Sequence, residues 1–186
     1  MNELQIHQRL LPYAACLDRR DSDSIDLVVI HCTELPDLAT ARRYGEKIHH
    51  AVSGTGNSGH YYIDRDGRIE QWVPPHRIAH HVREFNKQSI GIELVNLGRY
   101  PDWYHTDHQE MTEHYPQKQV DGLVGLLGFL HAAHANLQWV TGHDLLDTEL
   151  VPATNNPTER VYRKRDPGPL FPWDEVLNAV RLLPYL

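Results

Sequence analysis

Cysteine is nearly absent: Cys16 and Cys32 are the only two in the chain. That excludes a disulfide scaffold and suits a reducing compartment. Positive charge is also short, with 18 Lys and Arg against 25 Asp and Glu and a formal net charge of −7. A nucleic-acid binder needs a basic stripe to neutralise phosphates, yet the densest basic cluster, Arg160 to Arg165, is broken by Val161 and Tyr162. Long apolar runs are missing too; Val120 to Ala133, the most apolar segment, is too short and glycine-interrupted to cross a bilayer. The opening Met1-Asn-Glu-Leu-Gln-Ile-His-Gln-Arg9 lacks the basic start and continuous apolar run of a signal peptide. These absences point to a cytoplasmic protein that neither inserts into membranes nor binds nucleic acid, with phage-type release as the other open route. The 186 residues suffice for one domain with a full core, residues 1–186, in which Met1 to Asp23 read as a surface arm.

What the chain has in plenty is histidine. Fourteen are present, including the pairs His49-His50 and His80-His81, an enrichment that fits metal chemistry.

Hydrophobic patterning places the elements. Ile25 to Ile30 is a short β-branched and aliphatic run and reads as a buried strand ending on His31. Leu38 to His50 reads as a helix, and Val52 to Gly59 as a glycine-rich loop followed by a strand, His60 to Asp64. Because no helix follows those glycines, a phosphate-binding loop is excluded. Arg65-Asp66-Gly67 signals a hairpin turn into Arg68 to Val73. Gln88 to Asn96 reads as another strand, and Gly98 to Pro116 as a polar loop. Gln117 to Leu137 is the longest helix, with Val120, Leu123, Val124, Leu127, Leu130 and His134 on one face. A short strand, Gln138 to Thr141, leads to Gly142-His143; a long loop then runs to Arg165, and a last helix spans Trp173 to Leu183. Interspersed strands and helices predict an α/β domain with a central mixed sheet flanked by helices.

Two of these strands end alike, in Val-Val-Ile-His31 and Val-Thr-Gly-His143. If both lie in one sheet with their ends at the same edge, the two imidazoles converge. Asp166, fixed by the proline after it, offers a third ligand. Two histidines and a carboxylate form the ligand set of a catalytic zinc, Zn2+, with one position left open. Glu93 sits inside the apolar Ile-Gly-Ile-Glu-Leu-Val run, where poor solvation raises a carboxyl pKa toward that of a general base. Lys164 could place its ammonium near a developing oxyanion. His131 and His134, three apart on a helix, read as packed rather than ligating.

Val28-Val-Ile-His-Cys-Thr33, His60-Tyr-Tyr-Ile-Asp-Arg-Asp-Gly67, Ser89-Ile-Gly-Ile-Glu-Leu94, Thr141-Gly-His143 and Lys164-Arg-Asp-Pro-Gly168 stand in one order along the chain. In that order they resemble the zinc-dependent N-acetylmuramoyl-L-alanine amidases, from Ile25 to about Leu177. The resemblance implies a zinc groove at one sheet edge and cleavage of the amide between N-acetylmuramic (or anhydromuramic) acid and L-alanine, in peptidoglycan or a muropeptide. It implies His31, His143 and Asp166 as zinc ligands, Glu93 as catalytic acid and base, and Lys164 at the oxyanion. An aspartate as third ligand is similar to the bacterial recycling amidases; phage amidase-lysozymes and peptidoglycan recognition proteins carry cysteine. It also points to His81 and Asn86 as substrate-binding residues. Where the phage enzymes place a tyrosine before the histidine of the hairpin strand, this chain has Gly59.

Two rival readings remain. Cys32 could be the nucleophile of a cysteine amidase, although strand alternation turns it away from the face His31 uses. The fold could also serve as a catalytically silent peptidoglycan-binding module, for which all five polar residues together are more than binding needs.

Overall fold

The computed structural model describes residues 4–185. The first half of the chain forms β1 (Ile6–Gln8), β2 (Leu27–Cys32), α1 (Leu38–Gly45), β3 (Tyr61–Ile63), β4 (Ile69–Gln71) and β5 (Ser89–Leu94). The second half forms α2 (Gln117–Ala133), β6 (Trp139–Gly142), α3 (His143–Leu146), β7 (Leu150–Pro152), β8 (Arg160–Tyr162), α4 (Trp173–Ala179) and β9 (Leu183–Pro184). Seven strands make one sheet in the order β1-β4-β3-β5-β2-β6-β9, and β7 and β8 pair separately. The large sheet is mixed, as the patterning predicts: β3 and β4 are antiparallel, whereas β3, β5, β2, β6 and β9 run parallel.

All six residues of β2 are buried, which is what a strand covered on both faces requires. Ile30, Ile90, Ile92 and Val140 pack on one face against Val120, Leu123, Leu127 and Leu130 of α2. Each such leucine contributes about 1.5–3 kcal/mol by leaving water. Leu126 completes the stripe in place of the expected Val124, which is only partly buried. Gly122 lies against the hairpin turn, where a Cβ would meet the Gly67 carbonyl oxygen at 3.0 Å. A second cluster around Trp72, Leu38 and Leu17 packs elsewhere on the sheet.

Three boundaries differ from the sequence reading. The segment expected as a surface arm supplies edge strand β1, parallel to β4, and buries Leu11, Tyr13, Ala14 and Leu17. Its polar Ile-His-Gln strand carries no alternation to announce it, because it pairs at an edge. Helix α1, capped where the Asp37 side chain accepts from the Thr40 amide at 2.6 Å, stops at Gly45 rather than His50. The final helix stops at Ala179, and Leu183–Pro184 join the sheet beside β6. No helix among the described residues is long and apolar enough to cross a membrane.

Candidate active site

Parallel strands present their carboxyl ends at one edge, where open α/β sheets hold ligands. Register decides what stands there. Tyr62 of β3 pairs with Glu93 of β5, Glu93 pairs with His31 of β2, and Ile30 pairs with Gly142, so His143 follows β6 beside His31. One row crosses four strands at about 4.8 Å per step. Tyr62, Glu93 and His31 all line a single groove of about 300 Å³, together with Asp166 and Lys164.

His31, His143 and Asp166 close together at one end of this row. The Nδ1 atoms of His31 and His143 lie 2.8 and 3.1 Å from the same carboxylate oxygen, Asp166 Oδ2. The three residues are 2%, 2% and 3% exposed, so no bulk water screens them. Asp166 is held in place by its backbone, whose carbonyl accepts from the Asp144 amide at 2.9 Å. Burial alone would raise the Asp166 carboxyl, yet the facing histidines keep it well below the usual carboxylate range. Burial and the neighbouring His143 push His31 down to about 4, against the pull of Asp166. Asp166 Oδ1 and His143 Nε2 are buried without a hydrogen-bond partner among the described residues. Two imidazole nitrogens and one carboxylate oxygen converging on a dry point fit a zinc ion, whose structural preference is for such borderline ligands.

Glu93 is partly buried beside this cluster. Burial, with the negative charges of Asp166 and Glu34, pushes its carboxyl up to about 8, and Lys164 works in the opposite direction. Gly59 makes room for it: a Cβ there would lie 2.8 Å from Glu93 Cγ. Lys164 lines the groove, and its charge bears on His31 and Asp166 as well.

His81 and Asn86, the two expected substrate-binding residues, both make hydrogen bonds within the chain. His81 lines the groove, but its Nδ1 lies 3.0 Å from His31 Nε2 and its Nε2 lies 3.3 Å from Ser89 Oγ. Asn86 is not among the groove-lining residues; its Oδ1 accepts from the His81 and Val82 amides at 3.0 and 2.8 Å and folds their loop. Tyr62, which the sequence gives no reason to put in the tyrosine role left open at Gly59, has a hydroxyl that accepts from the Gly59 amide at 3.2 Å and a ring stacked on Trp72. The buried pair Glu34–Arg99 in the groove wall, bonded at 2.7 and 2.9 Å, has no sequence signal either. Both depend on pairing between distant segments, which local patterning does not carry. His131 and His134 bond to the Leu137 carbonyl and Ser22 as packed histidines do.

Cys32 does not have the surroundings of a nucleophile. Burial and the charges of Glu34 and Asp166 push its thiol well above the usual range, the reverse of activation.

The sequence profile described as N-acetylmuramoyl-L-alanine amidase (Amidase_2) matches residues 21–169. The chain belongs to this amidase family. A search of curated protein sequences gave no match. Among solved structures, the amidase LysC from Clostridium intestinale is 18% identical with a TM-score of 0.68, over 96% of this chain and 99% of its own. That likeness concerns the fold. AmpD is 26% identical with a TM-score of 0.63, over 94% of each chain. AmpDh3 of Pseudomonas aeruginosa, solved in complex with anhydromuramic pentapeptide, is 26% identical with a TM-score of 0.60, over 84% of this chain and 60% of its own. In this amidase the register row of Tyr62, Glu93 and His31 lines the groove.

Proposed function

We propose that this amidase is zinc-dependent and cuts the amide between N-acetylmuramic or anhydromuramic acid and L-alanine, with soluble muropeptides of the recycling type as substrate in the cytoplasm. The observation that carries the reading is the meeting of His31 Nδ1, His143 Nδ1 and Asp166 Oδ2 beside Glu93. The bound muropeptide of AmpDh3 and the aspartate in the third position support the recycling substrate.

His31, His143 and Asp166 would hold the ion. Zinc, when bound, supplies Lewis acidity that polarises a carbonyl and acidifies a water. The chain's own residues do the rest. Glu93, kept partly from solvent, takes the proton of the attacking water on its carboxylate and returns it to the departing alanine nitrogen. Its elevated pKa keeps that proton transferable in both directions near neutrality. The Lys164 ammonium offsets negative charge on the carbonyl oxygen as the carbon becomes tetrahedral.

The test is Glu93→Ala with a muropeptide substrate, following release of L-alanine-terminated peptide by mass spectrometry alongside metal analysis. Loss of release with zinc retained is expected. Near-normal turnover removes Glu93 from the mechanism. Muropeptide binding without cleavage by the wild-type chain points instead to a silent binding module, and inactivation by iodoacetamide but not by phenanthroline to Cys32.

A further inference from the structure

A carboxylate ligand is only as well placed as the backbone that carries it. His31 ends a strand of the sheet and His143 opens α3, but Asp166 stands on a turn between β8 and α4 that no strand or helix holds. What fixes that turn is a set of separate bonds. The Asp166 carbonyl accepts from the Asp144 amide at 2.9 Å, and the Gly168 carbonyl from the Phe171 amide at 3.2 Å. The carbonyl between them, on Pro167, accepts from the Tyr115 hydroxyl at 2.7 Å. A carbonyl only accepts, so the phenol is the donor.

Tyr115 reaches this turn from the far end of the loop that follows β5, 52 residues earlier in the chain. Its own direction is set by Phe171, against which its ring packs edge-on with centroids 5.3 Å apart. The Cys32 thiol is a second hydrogen-bond partner of the same hydroxyl. Tyr115 therefore touches the residue after His31 and the residue after Asp166 at once. The same loop adds Met111, which packs on Gly168, where a Cβ would meet Met111 Cε at 2.6 Å. On the other side the Pro167 ring lies on Gly142, where a Cβ would fall 2.9 Å from Pro167 Cδ.

We propose that Tyr115 is a positioning residue for Asp166. Its hydroxyl braces the Pro167 carbonyl against β2, and this keeps Asp166 Oδ2 within 2.8 and 3.1 Å of the His31 and His143 Nδ1 atoms. The proposal rests on the zinc reading for its consequence, which is affinity for the ion, and on the hydrogen bonds alone for the brace.

Tyr115→Phe removes the hydroxyl and keeps the ring, so two measurements on the full-length variant test it. Zinc affinity, read by competition with a chromophoric chelator, falls about 10-fold, the lower end of what loss of a supporting partner costs. At saturating zinc kcat stays near the wild-type value, because the bound ion reseats the carboxylate. Unchanged zinc affinity overturns the proposal. In metal-free protein, hydrogen exchange at the Asp144 amide, whose acceptor is the Asp166 carbonyl, speeds about 2–10-fold, the worth of one hydrogen bond. The amides of β2 and β5 keep their wild-type rates. Equal acceleration at all of them marks a general stabilising role, and that too overturns the proposal. Should the wild type take up no zinc, the proposed function fails, and exchange at Asp144 still decides the brace.

Discussion

His31 and Glu93 are register partners across the parallel pairing of β2 and β5, and both side chains line the same groove. Side chains alternate between faces along a strand, so a slip of one residue would send one of the two to the opposite side of the sheet. The sheet's register and the site's chemistry are a single constraint. Buried Val28, Ile30, Ile90 and Ile92 in the same two strands hold that register by their packing.

Lys164 lines the groove and carries positive charge toward Glu93 and Asp166. Methionine keeps the length of this side chain and removes the charge. Lys164→Met is expected to lower kcat by about 100-fold or more with zinc content unchanged. Kinetics with parallel metal analysis check this, and an undiminished kcat contradicts the role.

The elevated Glu93 carboxyl makes stability depend on pH with a definite sign. In metal-free protein Glu93 retains its proton up to about 8, whereas the unfolded chain loses it near the ordinary carboxyl value of 4.5. Folded protein therefore binds more protons between these values, and this stabilising contribution, complete below the lower one, is lost as pH rises through the upper. Glu93→Gln removes the dependence. Its melting temperature should match the wild type at acidic pH, exceed it above neutrality by the equivalent of about 1–3 kcal/mol, and hold a constant lead in alkali. Thermal melts across this range test it; parallel curves contradict it.

Glu34 and Arg99 form a nearly buried ion pair, with further bonds from Arg99 to the Tyr162 and Arg163 carbonyls at 2.7 and 3.3 Å. The pair ties the chain after β2 to the end of β8. Glu34→Gln leaves a guanidinium buried beside a neutral amide, which is expected to lower stability by about 3 kcal/mol. Denaturant titration measures it, and a loss within error of zero contradicts the clamp.

Gly91 is the seat of the His81 ring, and any Cβ there meets that ring at 2.6 Å. Gly91→Ala should cost about 1–3 kcal/mol and weaken zinc binding together with stability. An alanine variant with both unchanged contradicts the seat.

The parts legible in the sequence are those whose signal is local. The aliphatic run of β2, the Arg65-Asp66-Gly67 turn between β3 and β4, and the long apolar stripe of α2 each declare themselves within a window of a dozen residues or so. His31, His143 and Asp166 were traceable because each sits at a strand end or before a proline, and the structure brings them together. Elements defined by pairing to distant segments left no such trace. β1 and β9 are strands because β4 and β6 offer them an edge, and β7 and β8 lie inside a stretch that reads as loop. Tyr62 enters the groove through its register with Glu93, and Asn86 leaves it because a loop amide claims its oxygen. His81 is legible only through the family resemblance, and its contacts with Gly91 and Ser89 follow from the fold.

The most direct test of the central claim is a zinc titration of metal-free protein, with bound metal and muropeptide cleavage recorded in the same samples. Turnover rising in step with one equivalent of bound zinc, and both lost in Asp166→Asn, is the result expected of a centre made by His31, His143 and Asp166. Full turnover in protein stripped of metal, or undiminished zinc binding in Asp166→Asn, would contradict it.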